Sequence, residues 1–268
     1  MTDFRAARQA SVIGAFPDGV DALLVTHLPN IRWLTGFTGS AALLVLAPDR
    51  TTLITDFRYA SQAPNEVGGA AEVIIDRNSV WDRLRRVLES AGLAALAVES
   101  HVMPLRDSDR LASIFRGRIV PAADLVEQLR QVKDETEVSA IRAAATLCTE
   151  ALAAVLPTVA IGDREIDLAA RLESALRMRG SEWHPFETIV ASGPRAALPH
   201  AHSSSRTIGR GELLLIDFGA RVDGYCADIT RTVAIGRPDE RQQVVYDLVR
   251  EAQLRAREGL RSGMSGRD

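Results

Sequence analysis

The chain has 268 residues, of which 46% are hydrophobic and 25% are charged, and its formal net charge is −3. These values are typical of a soluble globular protein with one large domain or two ordinary ones. The slightly acidic balance argues against a nucleic-acid partner. No apolar run approaches the roughly 18–20 residues of a membrane span, so we expect no membrane partner. The two cysteines have no metal-like spacing, which favours a reducing cytoplasm.

Residues 1–125 alternate short β-prone runs with helical patterns. Strands are predicted at 22–26, 42–46, 52–55, 72–75 and 95–98. Helices are predicted at 3–15, 79–91 and 106–115, the second with Ser79 as its N-cap. This alternation predicts an N-terminal α/β domain with a mixed sheet over residues 1–125.

The pattern changes near residue 125, and residues 126–268 predict an α+β domain. One long helix is expected over 124–156, and Pro157 ends it. Its charged segment 130–137 is interpreted either as a bridge between two domains or as a solvated helix face. The remaining elements are helices at 164–179 and 240–260 and strands at 188–191, 213–218 and 229–235.

Two aspartates lie at the ends of neighbouring β-prone runs. Asp217 follows a four-residue apolar run, and Asp228 opens the next run after a turn-like segment at 219–224. A β-hairpin would bring the two carboxylates together, where charges ~4 Å apart repel by ~4 kcal/mol at an effective dielectric of 20. Spacing alone leaves several explanations open. One of the two carboxylates is protonated, or a cation lies between them. In a purely structural role, an aspartate at a strand end caps a turn or pairs with Arg221 or Arg231.

Histidines concentrate just before this hairpin. His184, His200 and His202 are three of the five histidines in the chain, and they lie in a segment stiffened by prolines. A histidine can bind a metal, donate to a substrate carbonyl or move protons, although a loop histidine that hydrogen-bonds to backbone is equally ordinary. A stiff loop with polar groups suits the wall of a binding site.

These residues carry a family resemblance. Residues 188–236 read TIVASGPRAALPHAHSSSRTIGRGELLLIDFGARVDGYCADITRTVAIG. This run resembles the proline-specific metallopeptidases, Xaa-Pro aminopeptidase and Xaa-Pro dipeptidase (prolidase), which have the pita-bread fold. The stretch LRQVKDETEVSAIRAAA resembles the entry into their catalytic domain, and DALLVTHLPNIRWLTGFTGSAALLVL resembles their creatinase-like N-terminal domain. The aspartate spacing and the D-I-T-R-T run match together, which favours the metal over the structural explanation.

The resemblance implies a dinuclear-metal peptidase that hydrolyses Xaa-Pro bonds. Asp217 resembles the bidentate ligand of one metal, Asp228 the ligand that bridges both, and Thr230 a supporting neighbour. His200 resembles the histidine that contacts substrate near the scissile carbonyl. The implied cofactors are two divalent ions, of manganese, cobalt or zinc. The implied partners are a proline-containing peptide and a second copy in a homodimer.

The family site has five protein ligands, and this sequence matches two of them. It has no histidine after His202, and Glu240, Glu251 and Glu258 do not stand in the family motif. We therefore expect a pita-bread domain that lacks its C-terminal part, with no complete catalytic set. The alternative is an inactive relative that acts as a binding or dimerisation module, since fold does not determine function.

Overall fold

The computed structural model describes residues 3–267, and the chain divides into two compact units. One unit runs up to Lys133 and the other begins at Asp134. The border predicted from composition lay after residue 125. Each unit encloses an apolar core of its own.

The N-terminal unit is built on a six-stranded sheet. Its strands are β1 (Ala22–Val25), β2 (Ala42–Leu46), β3 (Thr51–Asp56), β4 (Glu72–Asp76), β5 (Ala95–Val98) and β6 (Arg118–Pro121). Their order across the sheet is β4-β3-β2-β1-β5-β6. β1, β2 and β3 are antiparallel neighbours, whereas β3–β4, β1–β5 and β5–β6 are parallel pairs. The predicted mixed sheet is confirmed.

Helices cover both faces of this sheet. They are α1 (Arg5–Gly14), α2 (Leu28–Thr35), α3 (Gln62–Val67), α4 (Val80–Ala91), α5 (Leu105–Ile114) and α6 (Leu125–Arg130). α1, α2 and α6 share one core with Leu23 and Val25, and α4 and α5 share the other with Ala22 and Leu24. A strand buried on both faces must be apolar throughout, which explains the continuous apolar run of β1. Ser79 caps α4 as predicted, accepting a hydrogen bond from the Asp82 N–H.

The C-terminal unit packs two helices on one face of a three-stranded sheet. Its elements are α7 (Glu135–Val155), α8 (Glu165–Met178), β7 (Ile189–Ser192), β8 (Leu213–Val222), β9 (Tyr225–Ala234) and α9 (Glu240–Gly259). The sheet is antiparallel in the order β7-β8-β9. α7 and α8 bury their apolar sides against alternate residues of β8, Leu214, Ile216 and Phe218. The opposite face of β8 and β9 carries the candidate site.

The single helix predicted over 124–156 is wrong. α6 ends at Arg130 and α7 begins at Glu135. Asp134 has extended backbone angles, and its carboxylate accepts hydrogen bonds from the Thr136 and Glu137 N–H groups. The Glu137 side chain in turn accepts from the Asp134 N–H at 2.9 Å. This capping box starts a new helix and therefore interrupts the apolar periodicity that suggested one.

The hairpin is longer than predicted. β8 continues to Val222 and β9 starts at Tyr225, so that Asp223 and Gly224 alone form the turn, with φ of 50° and 81°. Two residues with positive φ make a tight turn whose twist matches the flanking strands. The segment 219–222, predicted as part of the turn, is therefore in the ladder, and Gly219 pairs with Asp228.

Within the described residues, one stretch, Glu135–Thr158, is long and apolar enough to cross a membrane by length and composition. It comprises α7 and the short turn after it. Ala144, Cys148 and Ala151 of α7 are buried in the same core as β8. A core helix satisfies the same length and composition test, so the feature is weak evidence for a membrane span.

Candidate metal centre

Asp217 and Asp228 lie on one face of the β8–β9 hairpin. Asp217 is directly opposite Thr230, and Asp228 is directly opposite Gly219. Residues opposite each other in an antiparallel ladder point to the same face, as do residues two apart on a strand. Both carboxylates therefore project away from the core formed by α7 and α8. The hairpin brings them together as a diagonal pair.

The environment of Asp217 disfavours its ionised form. Burial raises the pKa of Asp217, and the charge of nearby Asp228 raises it further, while a hydrogen bond with Thr230 has a smaller, opposing effect. The Oδ1 atom of Asp217 is buried and has no hydrogen-bond partner. A buried carboxylate oxygen that lacks a hydrogen-bond partner is costly, so a ligand that accepts this oxygen as a donor would stabilise the ionised form of Asp217.

The two arginines considered from the sequence are engaged elsewhere. Arg221 donates to Glu182 at 3.0 Å, and Arg231 donates to the Thr230 carbonyl at 2.7 Å. Among residues 3–267, no arginine side chain hydrogen-bonds to Asp217 or Asp228. The salt-bridge explanation for the aspartate pair is therefore not met.

A loop lies close over the hairpin at Gly219. A Cβ atom at this position would lie 2.4 Å from the Ala227 carbonyl oxygen and 2.6 Å from Cγ of Pro185. Phe186 also lies within 2.9 Å of that point. Only glycine permits this close approach. Gly219 therefore allows the loop after α8 to lie against the face that carries the aspartates.

An open cleft lies beside Thr230 of the β8–β9 hairpin, which is directly opposite Asp217. It has a volume of about 890 Å³ and lies between the 193–197 turn, β8, β9 and α9. Thr230 lines it from the hairpin, and Val245, Tyr246 and Val249 line it from α9. Neither aspartate lines the cleft, which reaches this side of the hairpin at Thr230, the residue directly opposite Asp217.

The three histidines occupy different settings. His200 is exposed in the turn after the 3-10 helix at 193–197, and no hydrogen bond or ion pair to its ring is present among residues 3–267. His202 hydrogen-bonds to Glu187 at 2.8 Å, and the ring of His184 stacks on Trp183. His202 and His184 thus have structural partners, whereas His200 is free for another ligand.

Glu165 holds the segment that carries His200, a role that its place in the sequence does not indicate. Its Oε1 accepts from the backbone and hydroxyl of Ser192, and its Oε2 accepts from the backbone and hydroxyl of Ser204. Arg195 donates to Oε2 at 3.1 Å and also to the His202 carbonyl. Glu165 begins α8, where an acidic residue is ordinary. The sequence therefore offered no signal for this role.

The aspartate pair fits a divalent cation. Its two carboxylates supply oxygen donors of the kind that manganese accepts, and cobalt and zinc also bind carboxylates in mixed ligand sets. A cation would give Asp217 Oδ1 the partner it lacks and would offset the repulsion from Asp228. The residues present could thus hold a metal, with Asp217 and Asp228 as ligands.

We expect Asp217→Asn to stabilise the metal-free protein at pH 7 by about 1 kcal/mol, because exposure of Asp228 to solvent reduces the ~4 kcal/mol of two charges 4 Å apart. A carboxyl whose pKa is raised by folding favours the folded state most at low pH, and this contribution is lost as pH rises through its unfolded and then its folded pKa. The gain should therefore vanish below the ordinary pKa of aspartate. Urea unfolding at several pH values measures it; equal effects at pH 3 and pH 7 would contradict the assignment.

Comparison with known proteins places this geometry in a family. The profile of metallopeptidase family M24 matches residues 139–268, and that of the creatinase/prolidase N-terminal domain matches residues 17–132. The uncharacterized peptidase YqhT of Bacillus subtilis is 38% identical over 251 residues, which cover 93% of this chain and 71% of that protein. The Xaa-Pro dipeptidase of Pyrococcus horikoshii is 30% identical over 255 residues, covering 94% and 70%.

Solved structures agree. The Xaa-Pro dipeptidase from Bacillus anthracis superposes with a TM-score of 0.94 at 32% identity, covering 98% of this chain and 74% of that one. The X-Pro aminopeptidase from Thermotoga maritima gives 0.86 at 35% identity, covering 93% and 71%. The expected architecture, a creatinase-like domain followed by a pita-bread domain, is confirmed. The chain belongs to metallopeptidase family M24 and carries the creatinase/prolidase N-terminal domain.

Proposed function

We propose that the protein is a dinuclear-metal peptidase that hydrolyses Xaa-Pro bonds, and that this chain contributes Asp217 and Asp228 to the metal site. The observation that carries the proposal is the paired placement of the two carboxylates on one open face, with Oδ1 of Asp217 buried and unpartnered. Relatives named as Xaa-Pro dipeptidases at 30% and 28% identity support the substrate class.

The residues of the proposed site have different roles in metal binding and substrate binding. Asp217 and Asp228 would hold the ions, and Thr230, directly opposite Asp217 in the ladder, supports the Asp217 carboxylate. When bound, two divalent ions supply a hydroxide nucleophile and polarise the peptide carbonyl. The ring of His200, which is exposed and has no hydrogen bond or ion pair among residues 3–267, contacts the substrate near that carbonyl. Manganese, cobalt and zinc all suit this ligand type.

The proposal extends to the setting of the enzyme. A proline-containing peptide is the substrate, a homodimer is the assembly, and the cytoplasm is the compartment that suits two free cysteines. The alternative function is a binding or dimerisation module without catalysis. Metal stoichiometry distinguishes the two, because the peptidase holds two ions and the module holds none at the hairpin.

The test is hydrolysis of an Xaa-Pro dipeptide and an Xaa-Pro-Yaa tripeptide, with the metal content measured on the same sample. It uses a protein that has the histidine and two glutamates of the family site besides Asp217 and Asp228. We expect two manganese or cobalt ions per chain and cleavage only before proline, with a dipeptide of the same size but without proline as control. Two bound ions without cleavage, or cleavage without bound ions, would overturn the proposal.

For His200→Ala in that protein we expect kcat to fall by about 10²–10³-fold, the effect of removing one donor at a developing oxyanion. Metal content should stay unchanged, because the ring has no contact with the aspartates among the hydrogen bonds of residues 3–267. His202→Ala is the matched control, since that ring binds Glu187 in the same segment. Loss of metal in His200→Ala would make His200 a ligand instead.

A further inference from the structure

A second cluster of metal-ligating side chains lies at the edge of the N-terminal sheet. β1, β5 and β6 are adjacent and parallel, so their carboxyl ends meet at one edge. His27 follows β1, His101 follows β5 and Asp124 follows β6, with Glu127 in the first turn of α6. The three loops therefore bring together two imidazoles and two carboxylates.

At this edge, the helices that follow neighbouring strands go to opposite faces of the sheet. The helix after β1, α2, packs in the core with Leu23 and Val25, whereas the helix after β5, α5, packs in the core with Ala22 and Leu24. The chain thus leaves neighbouring strands toward opposite faces of the sheet. In open α/β sheets, such a switch point leaves a crevice outside the strand ends where ligands bind.

The donor atoms are close enough to share one ion. One ligand atom each of His101, Asp124 and Glu127 lies within 4.8 Å of the other two. Nε2 of His101 lies 3.1 Å from Oε1 of Glu127 and 3.7 Å from Oδ1 of Asp124. Ligands at the 2.0–2.1 Å distances of a tetrahedral zinc ion are separated by about 3.3 Å, which is similar to these values.

Two buried atoms at the same place lack partners. Nδ1 of His27 lies 3.4 Å from Oε1 of Glu127, and among residues 3–267 neither this nitrogen nor Oε2 of Glu127 has a hydrogen-bond partner. Asn30 donates to Glu127 Oε1 at 2.6 Å and to Glu99 at 2.7 Å, which fixes the Glu127 carboxylate. Unpartnered buried polar atoms are rare in proteins, and a bound ion is one of the ordinary ways in which they are satisfied.

The charge of the cluster favours a cation. Glu99, which is 2% exposed, Glu127 and Asp124 are three carboxylates, while Arg130 supplies one positive charge through Asn30. With neutral histidines the group has an excess of two negative charges. We propose that His101, Asp124 and Glu127 bind one divalent transition-metal ion of the zinc type, which ties the loop after β5 to the segment after β6.

Metal binding would change the tautomer of His101. In the metal-free protein, Nδ1 of His101 accepts from the Asp124 backbone N–H at 3.3 Å, so the ring proton is on Nε2, which lies 3.1 Å from Oε1 of Glu127. Ligation through Nε2 would move this proton to Nδ1, with no net release, and would open the contact with the Asp124 N–H. Asp124 already has a left-handed φ of 57°, so its backbone is held in an uncommon conformation at this point.

The test uses the full chain with Asp217→Asn and Asp228→Asn, so that the proposed catalytic ligands do not contribute. After treatment with a chelator, Zn²⁺ binding is measured by calorimetry, and Co²⁺ binding by visible absorption. We expect one ion per chain in this background. We expect His101→Ala and Glu127→Gln to weaken binding at least tenfold each, since even the loss of an outer partner of a metal ligand costs 10–100-fold.

His202→Ala is the matched control, because His202 contacts a single carboxylate, Glu187, at 2.8 Å and should not alter binding. Asp124→Asn covers the case in which another variant fails to fold, since asparagine accepts the left-handed backbone and keeps the side-chain size. Absence of Zn²⁺ binding in the background, or binding that His101→Ala and Asp124→Asn both leave unchanged, overturns the proposal. Neither outcome bears on the proposed peptidase activity. The ligands of this site all lie in the N-terminal unit, whereas Asp217 and Asp228 lie in the C-terminal unit.

Discussion

Asp228→Ala is expected to remove the metal ions from the hairpin and to lower Xaa-Pro hydrolysis by on the order of 10³-fold or more in a protein with all five family ligands. The reason is that, under the proposed function, the ions held by this pair would supply the nucleophile and polarise the scissile carbonyl. Asp228 is exposed and pairs with Gly219, so the substitution removes a carboxylate without opening a core cavity. Metal content and kcat/KM measured on one sample test the expectation.

A second measurement needs no metal and no substrate. The charge of Asp228 raises the pKa of Asp217, so Asp228→Ala should lower that pKa in the metal-free 268-residue chain. Carboxyl chemical shifts followed through a pH titration report it. Asp223→Asn is the matched control, because Asp223 is an exposed carboxylate in the turn of the same hairpin and asparagine accepts its φ of 50°. An unchanged Asp217 pKa would show that the two carboxylates do not interact.

Local sequence patterns predicted most of the elements of both sheets. The runs predicted at 42–46 and 95–98 are β2 and β5. These short apolar runs show no helical periodicity that would compete with the strand prediction. The helix over 124–156 failed because apolar periodicity does not register a capping box, and Asp134 and Glu137 start a helix within that period. The turn at 219–224 failed because glycine at 219 permits a close contact rather than a bend.

The candidate site was predictable from the sequence only where its residues lie close together along the chain. Asp217 and Asp228 lie on adjoining strands of one hairpin, so their spacing along the chain determines their spacing in space. Glu165 meets Ser192 and Ser204 through separate segments, and His101 meets Glu127 across two loops. Such contacts depend on how strands are ordered in the sheet, which short-range periodicity does not report.

Glu165→Ala is expected to destabilise the C-terminal unit by about 3–5 kcal/mol, the cost of removing one partner from a buried charged network. Glu165 is 0% exposed and accepts five hydrogen bonds, from both groups of Ser192, both groups of Ser204 and the Arg195 guanidinium. Without the carboxylate, these donors lose their acceptor and Arg195 is left beside an empty site. The 193–203 segment, which carries His200, loses the contacts that hold both of its ends.

The pH dependence of the stability loss distinguishes the effect of the Glu165 charge from the effect of its packing. Burial raises the pKa of Glu165, but the hydrogen bonds from Ser204 and Ser192 and the charge of Arg195 outweigh it, so the net pKa is lowered. A carboxylate with a lowered pKa stabilises the fold above its unfolded pKa, and that contribution is lost as pH falls through the folded value. The stability gap between wild type and the isosteric Glu165→Gln should therefore be full at pH 7 and narrow in acid.

Denaturant unfolding at pH 7 and in acid measures this gap, with exposed Glu150→Gln on α7 as the control, expected within ±0.5 kcal/mol of wild type. A gap that stays constant with pH would show that Glu165 acts through packing rather than charge. If the gap narrows as expected, the same carboxylate that fixes the fold of this unit also fixes the loop of His200. In a protein with all five family ligands, Glu165→Gln should then lower kcat without changing the metal content.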